Sequence, residues 1–235
     1  MPYRNMNIDE LARHLGMDAR LVRKWAERGK LPGTMVKGEW RFNRAQLLDW
    51  LQQEIHSLEH VHVQNLERAM SSDEDHEHLV TELIPTEGIN MNLPARSRAS
   101  VLRELVVLAE RTGLVYDGPG LLEAVQEREE LVSTALPGGL AFPHPRRPMP
   151  YATAEPLICV ARVPGGIPFG APDGGMTYVF VFVCSHEERQ HLCVLARLAL
   201  MFCSDMALRL RDIDDAETAL AAMLEREAEI VASRR

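Results

Sequence analysis

Apolar residues recur at three- and four-residue steps from the start of the chain. Ile8, Leu11, Ala12 and Leu15 form one stripe, opened by Asn7 with Glu10 three residues on and stopped at Gly16. That spacing predicts a capped amphipathic helix. Asp18 opens a second helix, with Leu21, Val22 and Trp25 on its inner face and Gly29 at its end. Two short helices across a tight turn read as helix-turn-helix. The period then changes: "TMV" and "EWRF" are short strand-like runs about Lys37-Gly38, which predicts a hairpin. Asn43 with Gln46 caps a third helix, so the order predicts a winged helix-turn-helix. Leu48, Leu51, Ile55 and Leu58 keep helical spacing, with His62 and Asn65 on the same stripe. The third helix is therefore expected to run past residue 58 and to help pair two chains.

Further along, "GINMNLPA" alternates Ile89, Met91 and Leu93 inward as a short strand. "SRASVLRELVVLAERTG" and "DGPGLLEAVQEREEL" are amphipathic helices, the first closed by Gly113, the second carrying Pro119 in its first turn. "PLICVARV" and "MTYVFVFVC" are the β-branched and aromatic runs of central strands covered on both faces. "HEERQHLCVLARLALMF", "DMALRLRDI" and "DAETALAAMLEREAEIV" read as helices. The predicted architecture is α/β: a small winged helix-turn-helix head over residues 1–55, a helical and acidic linker over 56–82, and an α/β body over 83–235. The body's mixed sheet is covered by helices on both faces.

Charge sharpens this division. The 235 residues carry a net charge of −8, but residues 1–55 carry +3, residues 56–90 carry −7 and the remainder −4. A basic head on an acidic body implies that the head alone meets a polyanion. On the second helix Arg20, Arg23, Lys24 and Arg28 are left facing outward, the composition of a helix that meets phosphates and base edges in a major groove. A charge of +3 is modest, so useful DNA affinity calls for a dimer. The start of the chain lacks the apolar core of a signal peptide, and no apolar run approaches membrane-spanning length, which predicts a cytoplasmic protein without a membrane partner. Cys159, Cys184, Cys193 and Cys203 lie in apolar runs with no CxxC and no His at ligand spacing; they are expected to be buried free thiols. "SSDEDHEH", with His76 and His78, reads as a solvated linker rather than a metal site, and no metal or other cofactor is expected.

One short stretch raises a chemical question. In "GGLAFPHPR", Ala141 and Phe142 run up to His144 like the end of a strand, and prolines on both sides stiffen its loop. Arg128 sits at the end of the helix leading toward this loop. "GAPDG" is a glycine-rich turn between two strands. His191 lies early in a helix, on a face shared with Leu195 and Leu198. A second imidazole, a guanidinium and helix N-terminal amides are the donors that a phosphorylated histidine needs. His186, five residues before His191, is expected to be an exposed loop residue.

Two stretches also resemble known families. "NIDELARHLGMDARLVRKWAERGKLPG" followed by "GEWRFNRAQLLDWL" resembles the excisionase/MerR-like DNA-binding family. The resemblance implies helix contacts from Arg20, Arg23, Lys24 and Arg28, with Lys37 and Arg41 on the wing. "EREELVSTALPGGLAFPHPR", then "IPFGAPDG", then "HLCVLARLALMF" resemble the fructose/mannitol and nitrogen-regulatory type of IIA protein of the bacterial phosphotransferase system. This second resemblance implies that His144 receives a phosphoryl group from an HPr-like histidine phosphocarrier and can pass it to a IIB protein. It also implies His191 as the second active-site histidine and Arg128 as the phosphate-stabilising arginine; Glu129 and Thr134 read as structural. Two features depart from the family. Pro137-Gly138-Gly139 stands where a polar run is common, and Pro145 stands where a small residue often follows the histidine.

Two readings of function follow. In one, a DNA-binding regulator is phosphorylated on His144. In the other, the body is a phosphocarrier relaying to a separate IIB, and the head is a protein-interaction module. A third reading keeps the fold and loses the chemistry.

Overall fold

The computed structural model describes residues 5–71 and 79–233; the tract holding His76 and His78 lies outside them. The described chain divides into two units, one of Met1–Asp75 with Leu192–Leu200, the other of His76–His191 with Met201–Arg235.

The first unit begins with a capping box. The Asn7 side chain accepts the Glu10 N–H and the Glu10 carboxylate accepts the Asn7 N–H, both at 2.9 Å. After the short strand β1 (Asn5–Met6), this opens α1 (Ile8–Leu15); Asp18 caps α2 (Ala19–Glu27). Strands β2 (Gly33–Val36) and β3 (Glu39–Asn43) form the hairpin, turning through Lys37 and Gly38, both in the left-handed region. β1 pairs with the far edge of β3, giving the order β1-β3-β2. Asn43 accepts from the amides of Ala45 and Gln46 and starts α3 (Arg44–Glu54).

The third helix does not run past residue 58. A single 3-10 turn over Ile55–Ser57 follows α3, Leu58 is extended, and α4 (His60–Met70) begins afresh. The Ser57 hydroxyl lies 2.8 Å from the Glu54 carbonyl and 2.7 Å from the Glu54 carboxylate, a local bond that competes with the helical ladder. Leu48, Leu51 and Ile55 are buried within the unit, and α4 buries its own stripe of Val63, Leu66 and Met70 instead of His62 and Asn65. α4 packs back on α1. Gly16 makes that approach: it sits at φ +64°, and a Cβ there would lie 2.5 Å from the Asn65 carbonyl oxygen. In the same unit Glu67 of α4 pairs with Arg197 at 2.7 Å, both side chains almost wholly out of water.

The second unit is a five-stranded mixed sheet in the order β4-β7-β8-β6-β5. Its strands are β4 (Ile89–Asn90), β5 (Ala135–Leu136), β6 (Leu140–Ala141), β7 (Leu157–Ile167) and β8 (Thr177–Cys184). Helices α5 (Arg98–Arg111) and α6 (Gly118–Leu131) set Leu102, Leu105, Val106, Leu121 and Val125 into one core. Cys159, Ala161, Phe180 and Phe182, alternate residues of β7 and β8, face them there. The intervening residues Val160, Val179, Val181 and Val183 are equally buried. The remaining helices are α7 (Glu188–Met201), α8 (Met206–Arg211) and α9 (Ala216–Ala232); α8 lies against β7 and β8, and α9 against β4. The predicted mixed sheet and its helices are the observed ones. Glu227 of α9 accepts from the amides of Val80 and Thr81 and from the Thr81 hydroxyl, tying down the start of this unit.

Candidate functional site

The sheet order brings the histidines together. β6 and β8 are parallel neighbours, so the segments that leave their C-terminal ends emerge side by side. His144 follows β6; Ser185 and His191 follow β8. β5 is antiparallel to β6, with Ala135 opposite Ala141, so the end of α6 that feeds β5 arrives at the same edge and delivers Arg128. The Pro137-Gly138-Gly139 stretch is the turn of the β5–β6 hairpin, with both glycines at positive φ. Its local role is to reverse the chain so that Phe142 and His144 reach the site.

His144 and His191 are each 2% exposed and Arg128 is 3% exposed. The two imidazoles lie 5.0 Å apart, centroid to centroid, at 57°. His144 Nδ1 is 2.7 Å from the Phe142 carbonyl oxygen. A carbonyl only accepts, so Nδ1 carries the proton and Nε2 of the neutral ring carries the lone pair. His191 Nδ1 is 3.2 Å from the Ser185 hydroxyl, and among the described residues its buried Nε2 has no hydrogen-bond partner. Burial, then the charges of Arg128 and Arg147, push the His191 pKa down to about 4, so this ring is neutral at pH 7. Arg128 donates to the Val132 carbonyl at 2.7 Å, which holds its guanidinium at the helix end. Glu129 turns the other way: it accepts from Thr134 N–H and hydroxyl, from Ser133 and from Arg98, a structural knot beside the site.

The structure thus gathers His144, His191 and Arg128. It adds the Phe142 carbonyl, Ser185 and Arg147, which sequence reading missed. Ser185 directly follows β8 and Arg147 is three residues past His144, but their relevance comes from strand pairing, which no local pattern shows. Two expectations need correction. His186 is half-buried and 2.9 Å from the buried Thr153 hydroxyl, because the strand end packs it there. Cys203 is exposed, since it lies in the turn after α7; Cys159, Cys184 and Cys193 are buried, none of the four forms a disulfide among the described residues, and burial raises Cys159 to about 12.

In the first unit Arg20, Arg23 and Lys24 are exposed on α2, opposite the buried Val22 and Ala26. Arg28 is exposed at the helix C-cap, and Lys37 at the hairpin tip. Arg41 is paired with Glu39 of the same strand at 2.5 Å. Among the described residues no helix is long and apolar enough to cross a membrane.

Comparison with known proteins covers both units. The family model described as "Phosphoenolpyruvate-dependent sugar phosphotransferase system, EIIA 2" matches residues 82–226, and one described as "Helix-turn-helix domain" matches residues 6–54. The fructose-specific EIIABC component of Bacillus subtilis is 26% identical over 124 residues, 52% of this chain and 19% of that protein. The match therefore spans about a fifth of that relative's length. A nitrogen regulatory protein of Pseudomonas aeruginosa is 30% identical over 140 residues, 58% of this chain and 89% of that protein. The crystal structure of nitrogen regulatory protein IIA-Ntr from Neisseria meningitidis superposes with a TM-score of 0.55 at 25% identity. It covers 61% of this chain and 97% of its own.

Proposed function

The chain belongs to the EIIA 2 family of the phosphoenolpyruvate-dependent sugar phosphotransferase system and carries a helix-turn-helix domain, and on that premise we propose that it is a cytoplasmic DNA-binding regulator phosphorylated on His144. The observation that carries the reading is the His144 Nδ1 bond to the Phe142 carbonyl, which leaves Nε2 as the nucleophile beside His191 and Arg128. In the step, the Nε2 lone pair attacks the phosphorus of an HPr-like phosphohistidine. The donor's N–P bond breaks and its electron pair returns to the donor ring. PO3⁻ is transferred and the Nδ1 proton stays in place. Arg128 meets the phosphoryl oxygens, and with Ser185 donating to Nδ1, His191 Nε2–H donates to them as well. Neutral His191 is the form suited to that task.

In the head, Arg20, Arg23, Lys24 and Arg28 contact DNA, with Lys37 and Arg41 on the wing, two chains supplying two heads. Arg41 must leave Glu39 to do so. A phosphoryl group changes the charge of the body and, through it, DNA binding.

The test is phosphotransfer. The full chain is incubated with phosphoenolpyruvate, enzyme I and HPr, or the nitrogen-branch pair, beside His144→Ala, and intact mass is read at alkaline pH. One acid-labile phosphoryl group on the wild type alone is expected; none with either donor pair refutes the reading. DNA binding is then measured with and without the phosphoryl group, and an unchanged affinity removes the regulatory part. The family itself favours a second reading, relay to a separate IIB protein. A DNA shift indifferent to Arg23→Ala and Lys24→Ala would favour that one.

A further inference from the structure

Between His144 and β7 the chain makes a short arch that the chemistry above does not use. Its feet are backbone hydrogen bonds, Val183 N–H to the Pro143 carbonyl and Met149 N–H to the Ser185 carbonyl, both 3.0 Å. The feet stand two residues apart on one strand end, roughly 7 Å. The six steps from Pro143 to Met149 would span about 20 Å if extended, so the chain must rise and fold back. Pro145 and Pro148 stiffen the crown. One foot adjoins His144 and the other is Ser185, whose hydroxyl meets His191, so the arch is anchored at both ends beside the segments that carry the imidazoles. Of its two arginines Arg146 is exposed and Arg147 is half-buried. Arg147 is also one of the two guanidinium charges felt by His191, the other being Arg128.

We propose that Arg147 is a second phosphate-binding residue, one that holds a phosphoryl group on His144 and prolongs its stay. The arch anchors Arg147 on the segment between His144 and Ser185. There its Nη1 donates to the Arg146 carbonyl at 3.2 Å, a bond it would exchange for a phosphoryl oxygen. Arg147 and Arg128 come from different elements, a pair suited to the divided charge of a phosphoryl group. In a loose transition state the departing PO3 unit carries less charge than the bound phosphoryl dianion. A fixed cation on its oxygens therefore favours the bound state over the escaping one. Retention suits a sensor better than a relay. The inference rests on His144 as phosphoacceptor.

The experiment loads the full-length protein chemically with phosphoramidate, whose P–N bond breaks with release of ammonia as the His144 Nε2–P bond forms. His144→Ala corrects for other histidines. Decay of phosphohistidine at neutral pH is followed by ³¹P NMR in wild type, Arg147→Ala, Arg147→Lys and Arg146→Ala, with thermal unfolding confirming that each is folded. Arg147→Ala should shorten the half-life about tenfold, Arg147→Lys should restore part of it, and Arg146→Ala should match wild type. A half-life in Arg147→Ala equal to or longer than wild type overturns the role of Arg147 while leaving His144 as acceptor. Wild type that takes up no phosphoryl group beyond His144→Ala overturns the acceptor reading, and the role of Arg147 with it.

Discussion

A carbonyl oxygen has no proton to give, and at His144 that decides which ring nitrogen can react. The Phe142 carbonyl accepts the hydrogen bond of Nδ1–H, with nitrogen and oxygen 2.7 Å apart, and two prolines hold both residues in register. His191 is controlled differently, by what surrounds it. Burial and two guanidinium charges put its pKa at about 4, whereas the unfolded chain protonates near 6.5. Above pH 6.5 both states are neutral and the folded state enjoys the full benefit. As pH falls from 6.5 toward 4 the unfolded state takes up the proton first, so stability drops, by roughly 3 kcal/mol over the window. Urea unfolding of wild type and His191→Gln at several pH values checks this. The wild type should lose the larger share of its stability between pH 6.5 and 4, and parallel curves would remove His191 as the cause.

At the scale of elements, helix starts and the hairpin were legible in the sequence because their causes are local. Asn7 and Glu10, Asp18, Asn43 and the Lys37-Gly38 turn act on neighbours two or three residues away. The break after α3 was not legible: Leu58 continues the apolar period, yet the chain tightens to a 3-10 turn, bonds Ser57 back to Glu54 and leaves the helix at an extended Leu58. His144, His191 and Arg128 were legible as residue types in an ordered run of motifs. Ser185 and Arg147 were not, since they matter only once β6 and β8 lie side by side. Glu67 was equally silent, a carboxylate in a connector that turns out to be fully buried on Arg197. Removing one member of such a pair leaves the other charge stranded, so Glu67→Leu should cost about 3–5 kcal/mol. The double change Glu67→Leu with Arg197→Met should recover most of it. Chemical denaturation of the wild type and these two variants decides; equal losses in the single and double variants would show that packing, not charge, is at stake.

For the whole molecule, charge is the quantity that composition predicts and function reads. The head carries +3 while the rest is acidic, so the DNA binding proposed for it should be salt-sensitive. Each phosphate contact contributes about 0.9 to the slope of log affinity against log salt. Arg23→Ala with Lys24→Ala in the full chain should lower that slope by about two, measured by fluorescence anisotropy on a duplex between 50 and 200 mM salt. An unchanged slope would take those side chains off the phosphates. The full chain is the right object, because the first unit includes Leu192–Leu200 and a truncated head would lack them.

The Phe142 carbonyl has one more consequence, in regiochemistry. A phosphoryl group accepted at a ring whose Nδ1 is committed to a backbone oxygen can enter only at Nε2. The product is then the 3-phosphohistidine isomer, without admixture of the 1-isomer, and reagents that tell the two isomers apart would register this protein on one side only.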